Sequence, residues 1–164
     1  MLGATGHGFF NDEEVGERRE GNTTRKNPLL LACSDVNQFI SPIEKVKVLV
    51  EAGANVNYKN EFNATPLRAA VLKKHFDVVL YLIEKGADYK RVLSNVEGKD
   101  YYLWDELRFS LLPLDSKEYQ QKMEVVEFLK QKGIDYRKVP IPEYSKSQAK
   151  KMYPDNWKEY LEKY

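Results

Sequence analysis

The sequence holds 164 residues, enough for one domain with a real core, and its 26 Lys and Arg stand against 25 Asp and Glu for a net charge of +1. So balanced a charge counts against nucleic acid and gives no argument for an acidic substrate, and the charged residues read as a solvated exterior. A single cysteine, Cys33, excludes an intrachain disulfide and an all-cysteine metal site.

Residues 1–26 are Gly-rich and then charged, with Phe9 and Phe10 as their strong apolar pair. They read as an arm or a partial cap, since Gly16 and Gly21 weigh against a long helix in EEVGERRE. The start, MLGATGHGFF, has neither a basic n-region nor a long apolar run, so no leader is expected on the chain as given. No later stretch approaches the length of a membrane span.

From Asn27 the chain repeats itself. Asn27 caps a helix opened by Pro28, and Pro28, Leu29, Leu31 and Ala32 match Pro66, Leu67, Ala69 and Ala70 at an offset of 38. Val46, Leu49, Val50, Glu51, Gly53 and Ala54 match Val79, Leu82, Ile83, Glu84, Gly86 and Ala87 at an offset of 33. The difference is an insertion in SDVNQFISPIE, between the two helices, where Ser41-Pro42 suits the start of the outer one. In NATPLRAAVLKKHFDVVLYLIEKGADY, from Asn63 to Tyr89, Thr65 caps the inner helix, the outer helix carries Val78, Val79, Leu82 and Ile83, and Gly86 ends it as a left-handed cap. Asn60 and Asn63 stand at the turn before this box, Asn being next to Gly in tolerance of left-handed backbone.

VVEFLKQKGIDY, from Val125 to Tyr136, repeats VVLYLIEKGADY, from Val78 to Tyr89, at an offset of 47. A third, divergent unit is therefore expected over 100–136, preceded by a long hairpin, KRVLSNVEGKD. Its inner helix is expected from Tyr101 to Leu112, with Leu103, Trp104, Leu107 and Leu111 on one face; Pro113 breaks it and Ser116 caps the next. Beyond Val139 the pattern stops. Pro140-Ile141-Pro142, a capping box from Ser145 to Gln148 and a short helix opened by Asp155 predict a helical cap, with Met152, Trp157, Tyr160 and Leu161 closing the open end. From Arg137 onward seven Lys and Arg face four acids, a surplus small enough to be solvated.

The TPL box, the glycine-bounded outer helices and the run GANVNYKNEFNATPL are similar to those of ankyrin repeats. That resemblance implies an all-α solenoid of about three helix pairs, repeats at 27–57, 63–89 and 100–136, β-hairpin-like connections, and a C-terminal helical cap over 139–164. It also implies that His75 hydrogen-bonds the turn between helices, and that Cys33, at an Ala position of the inner helix, is a buried core thiol.

No catalytic residue, cofactor site or metal site is assigned. His7 and His75 are not spaced for a metal, no G-x-S-x-G elbow is present, and Gly3-Ala4-Thr5-Gly6-His7-Gly8 lacks the lysine and helix of a phosphate loop. A non-enzymatic module with a protein partner is the expectation, monomeric when free and without nucleic acid. In ankyrin stacks the hairpin tips and the exposed side of the inner helices form a concave face. On this chain those positions are Tyr58, Lys59, Glu61, Phe62, Arg68, Leu72 and the stretch from Arg91 through Asn95 to Val96, with Tyr101, Tyr102, Tyr119 and Tyr136 rimming a second surface. Phe62 and Arg68 lead with Tyr58, because aromatics and Arg dominate interface energy.

A narrower resemblance lies in Phe9-Phe10-Asn11-Asp12, the GADY junction and the VVEFL-x-x-x-GI ending. These look like small bacterial ankyrin proteins that act as immunity partners of type VI secretion phospholipase effectors. That family would imply periplasmic residence after loss of a leader; otherwise an intracellular scaffold or a host-directed effector is the competing reading.

Overall fold

The computed structural model describes residues 27–35 and 41–164. The arm over 1–26, with His7, and the greater part of the interhelical insertion lie outside the described residues. The chain divides into two compact units, with the division between Asp88 and Tyr89.

The first unit is built from two helix pairs. Helix α1 (Pro28–Ser34) packs against α2 (Pro42–Glu51), and α3 (Pro66–Leu72) against α4 (Phe76–Glu84). Inner helix then stacks on inner helix, α1 on α3, and outer on outer, α2 on α4. The expected caps form. Asn27 accepts a hydrogen bond from Leu30 N at 3.1 Å and Thr65 from Arg68 N at 3.1 Å, each with a proline in the first turn. Each such cap contributes about 1 kcal/mol. The apolar stripe of α4 is the centre of this unit: Phe76, Val78, Val79 and Leu82 are fully enclosed, as are Leu29, Cys33, Val46 and Ala70. Burial pushes the Cys33 thiol up to about 12, so it stays neutral inside the core.

His75 does more than close its own turn. Its backbone N–H donates to Ala70 O at 3.0 Å, and its ring Nε2 lies 2.9 Å from Asp35 O. A carbonyl only accepts, so Nε2 carries the proton, and the ring ties the second pair to the turn of the first.

Gly53, Gly86 and Gly133 follow the helices that end at Glu51, Glu84 and Gln131, with φ of 92°, 92° and 81°. In all three the residue after the glycine donates back into the last turn: Ala54 N to Leu49 O, Ala87 N to Leu82 O, Ile134 N to Leu129 O. A Cβ on Gly86 would meet nothing within 4 Å. Gly86→Val is therefore expected to cost about 2 kcal/mol through backbone strain alone. A melting temperature that does not move would remove this cap from the account of stability.

The second unit opens with a hairpin, β1 (Ser94–Val96) antiparallel to β2 (Lys99–Tyr101), in the register Ser94 to Tyr101 and Val96 to Lys99. Glu97 and Gly98 form its two-residue turn with φ of 51° and 81°, the pair of left-handed residues that matches strand twist. Helices α5 (Leu103–Phe109), α6 (Lys117–Gln131), α7 (Glu143–Met152) and α8 (Trp157–Lys163) follow, with a 3-10 turn at Tyr136–Lys138.

Several boundaries differ from expectation. The first connection, 55–64, is built from turns, with Asn60 N donating to Ala64 O at 3.1 Å, and among the described residues the strand pair falls in the second. Helix α5 stops at Phe109 rather than Leu112, because Ser110 turns its hydroxyl back to Glu106 O and leaves the helical region at ψ 72°. Leu111 and Leu112 are buried all the same. Ser116 caps α6 as expected, accepting from Tyr119 N at 3.1 Å. Helix α7 begins after Pro142, two residues before Ser145, so no Ser145–Gln148 capping box exists; Ser145 is buried and donates to Arg108 O at 2.8 Å. Helix α8 is opened by Asn156, not Asp155. Tyr160 is buried in a cluster with Leu111, Ala149 and Tyr164, against which Trp157 and Leu161 pack, whereas Met152 is exposed.

The main correction concerns charge. Arg108 and Lys122 are not solvated; they lie in the core of this unit. Arg108 donates from Nη1 to Tyr164 O and from Nη2 to Tyr136 O, both at 2.9 Å, with its guanidinium carbon 3.9 Å from the Tyr136 ring centroid. Lys122 Nζ lies 3.5 Å from the Tyr164 ring centroid and donates to Ser110 O at 3.4 Å. Electron-rich ring faces and carbonyl oxygens thus offset the cost of desolvating two cations. The Tyr164 hydroxyl stands 2.9 Å from the carbonyls of both Leu107 and Arg108, sharing one proton between them.

Burial pushes the Tyr136 and Tyr160 phenols up to about 12, and Tyr164 higher still. Between the unfolded value near 10 and about 12 the unfolded chain has released protons that the folded chain keeps. Stability is therefore expected to be intact below pH 10 and to fall as pH rises from 10 to 12, by a few kcal/mol in all. Absorbance of tyrosinate measured alongside circular dichroism tests this. Ionisation of all the tyrosines without loss of helix would contradict it.

Candidate protein-interaction surface

In the first unit the candidate surface is a loop whose shape is fixed by asparagine side chains. Asn55 Oδ1 accepts from Asn57 N at 2.9 Å, and Tyr58 N donates to Asn55 O at 3.1 Å. Asn57 is a two-way clamp: Oδ1 accepts from Asp88 N at 2.8 Å while Nδ2 donates to Gly86 O at 2.9 Å, joining the loop to the next one. Asn60 Oδ1 accepts from both Phe62 N (3.0 Å) and Ala64 N (2.9 Å), and Asn63 follows in the left-handed region at φ 58°. With the backbone satisfied by these bonds, the tip side chains are free to point outward. Lys59 and Glu61 are exposed, and Phe62 is 67% exposed, a large ring on a tightly bonded loop. Tyr58 is half-buried.

Arg68 and Leu72 are four residues apart on α3 and so share one of its faces. Leu72 is 53% exposed. Arg68 is half-buried, with its Nε enclosed and lacking a hydrogen-bond partner. Its stem packs rather than reaching out freely.

In the second unit the expected residues separate by role. Arg91 is half-buried before the hairpin. Asn95 is exposed but engaged: Nδ2 donates to Asp100 Oδ1 at 2.6 Å and Oδ1 accepts from Gly98 N at 3.2 Å, bracing the turn. Tyr101 packs on Phe109 with centroids 5.9 Å apart, and Tyr102 stacks on Trp104 at 4.8 Å and 11°. These tyrosines fasten the hairpin to α5. Val96, 55% exposed beside the turn, is the apolar side chain this hairpin presents.

Two exposed apolar residues, Leu31 on α1 and Val48 on α2, were not singled out from the sequence. The repeat offsets held a signal for Leu31, which stands where the second pair has the small Ala69, an apolar excess on α1. Among the described residues no group of three or more His, Cys, Asp or Glu is placed to hold a metal ion, and no helix is long and apolar enough to cross a membrane.

Comparison with known proteins places the match on the first unit. The family model described as Ankyrin repeats (3 copies) matches residues 9–92, just over half of the chain. Among curated proteins, BRCA1-associated RING domain protein 1 of Caenorhabditis elegans is 37% identical over 86 residues, 52% of this chain. A putative ankyrin repeat protein of Acanthamoeba polyphaga mimivirus is 36% identical over 66 residues, 40% of this chain, and alpha-latrocrustotoxin-Lt1a of Latrodectus tredecimguttatus is 43% identical over 65 residues, 39% of this chain. The chain spans only 11%, 21% and 4% of the lengths of these relatives. No solved structure matches it.

Proposed function

This chain belongs to the ankyrin-repeat family, and from that premise we propose that it is a non-enzymatic module binding a protein partner through the tip loop and α3 face of its first unit. The observation that carries this is Phe62. A large ring left 67% exposed on a loop whose backbone is held by four asparagines has already met much of the ordering cost of binding. Arg68 and Leu72 extend the surface along α3, and Lys59 and Glu61 supply its polar rim. In the second unit Asn95, Tyr101 and Tyr102 are bound up in holding the hairpin, which leaves exposed Val96 to touch a partner. Residues 100–136 are read as a third, divergent repeat on the strength of the cap that α6 shares with α2 and α4; the family match ends before it, at residue 92.

The test uses the purified chain as bait in a lysate of its own organism, with mass spectrometry of what stays bound, followed by titration of that partner. Phe62→Ala combined with Leu72→Ala is expected to weaken binding at least about tenfold while the melting temperature holds, since both side chains are exposed. Unchanged affinity would move the interface elsewhere. The narrower reading, neutralisation of a secreted phospholipase, rests on the resemblance of short motifs near both ends. Capture of such a lipase with loss of its activity on binding would support it, and a housekeeping partner would make the chain a scaffold or effector.

A further inference from the structure

We infer that the outer side of the first helix pair is a docking groove for residues 9–26 of this same chain. A cleft of about 860 Å³ runs between α1 and α2, lined mainly by Leu31, Ala32, Val48 and Leu49 with Asp35 and Lys45 joined in an ion pair at its side. Val48 is 65% exposed and Leu31 46%. The equivalent side of the second pair is covered, because α1 and α2 stack on it, and the comparison residue by residue shows the consequence. Leu82 on α4 is fully buried, whereas its counterpart Leu49 on α2 is only half-buried. The first pair therefore shows an apolar side that the repeat design expects to be covered from upstream.

Three observations select the occupant. The family match starts at residue 9, well ahead of α1, so residues 9–26 carry repeat-like sequence. That stretch joins α1 directly at Asn27, which gives it a high effective concentration at the groove over any free partner. It also holds Phe9, Phe10 and Val15, the apolar side chains such a cleft would take, flanked by charged residues suited to its rim. The inference rests on the geometry of α1 and α2 and does not depend on the partner surface proposed above.

Trypsin reads it directly, because Arg18 and Arg19 lie inside the segment. Cleavage after these residues in the full chain is expected to be slow, and Val48→Asp, which sets a carboxylate in the cleft, is expected to speed it at least about tenfold. Phe9→Ala with Phe10→Ala should give the same gain without touching the helix pair, and joining all three changes should add little more. Equal cleavage rates in the unaltered chain and both variants would overturn the proposal. So would protection that vanishes on dilution with a matching dimer in sedimentation, because a second copy would then be the occupant.

Discussion

Arg108→Ala is expected to lower the stability of the second unit by about 3–5 kcal/mol, the usual cost of removing one member of a buried, hydrogen-bonded charged cluster. The change strips the donors from two buried carbonyls, Tyr136 O and Tyr164 O, which come from the 3-10 turn and from the end of α8. It also removes the cation packed on the Tyr136 ring and leaves a cavity in the core of this unit. Arg108→Met, which keeps most of the volume, should recover part of the loss and so separate packing from hydrogen bonding. Both tryptophans, Trp104 and Trp157, lie in this unit, so the midpoint of urea unfolding followed by tryptophan fluorescence reports on it. An unmoved midpoint in Arg108→Ala would mean that the cation is tolerated rather than needed.

Phe76→Ala is expected to cost the first unit about 3–5 kcal/mol. Phe76 opens α4, is fully enclosed, and lies next to His75, whose ring holds the turn at Asp35. Truncation leaves a ring-sized cavity in the enclosed core of this unit. Cys33 is the probe here, as a buried thiol of the same unit kept protonated by its surroundings. Its modification by an exposed thiol reagent proceeds through opening of the unit, so the variant should react about a hundredfold faster or more. The partner affinity proposed for Phe62 should fall with it in proportion to the unfolded fraction. A rate within a few fold of the unaltered chain would show that Phe76 fills space others can fill.

Much of this was legible in the sequence because the ankyrin pattern is written in local chemistry. Caps at Asn27, Thr65 and Ser116, prolines in first turns and glycines after outer helices are decided by a few neighbouring atoms, and each formed as read. The stripe Val78, Val79, Leu82 and Ile83 has helical periodicity and is buried throughout. Asn60 and Asn63 were both placed correctly at the turn, though only Asn63 takes the left-handed backbone, while Asn60 works through its side chain. The exposure of Phe62 followed from its place on that tip.

Tertiary structure decided what depends on residues far apart. Lys122 stands in helical register with Val125, Val126 and Leu129, so its place on the buried side of α6 was present in the spacing. What keeps a cation there, the Tyr164 ring and Ser110 O, comes from other elements and has no trace in local composition. Ser145 suited a cap by sequence, but Pro142 starts the helix earlier and Arg108 O takes its hydroxyl instead. Tyr101 and Tyr102 read as sticky rim residues, and only the positions of Phe109 and Trp104 show them as internal fasteners. Asn57 joins its loop to Gly86 and Asp88, whereas Lys90, 33 residues later, carries an ammonium group that donates but cannot accept, and so cannot repeat that two-way bond. The sequence by itself thus determined the helix pairs, their caps and their family, since these rest on periodicity and on bonds within a few residues. The tertiary structure alone decided which charges are buried and that Tyr101 and Tyr102 pack internally, because desolvation depends on partners brought together from across the chain.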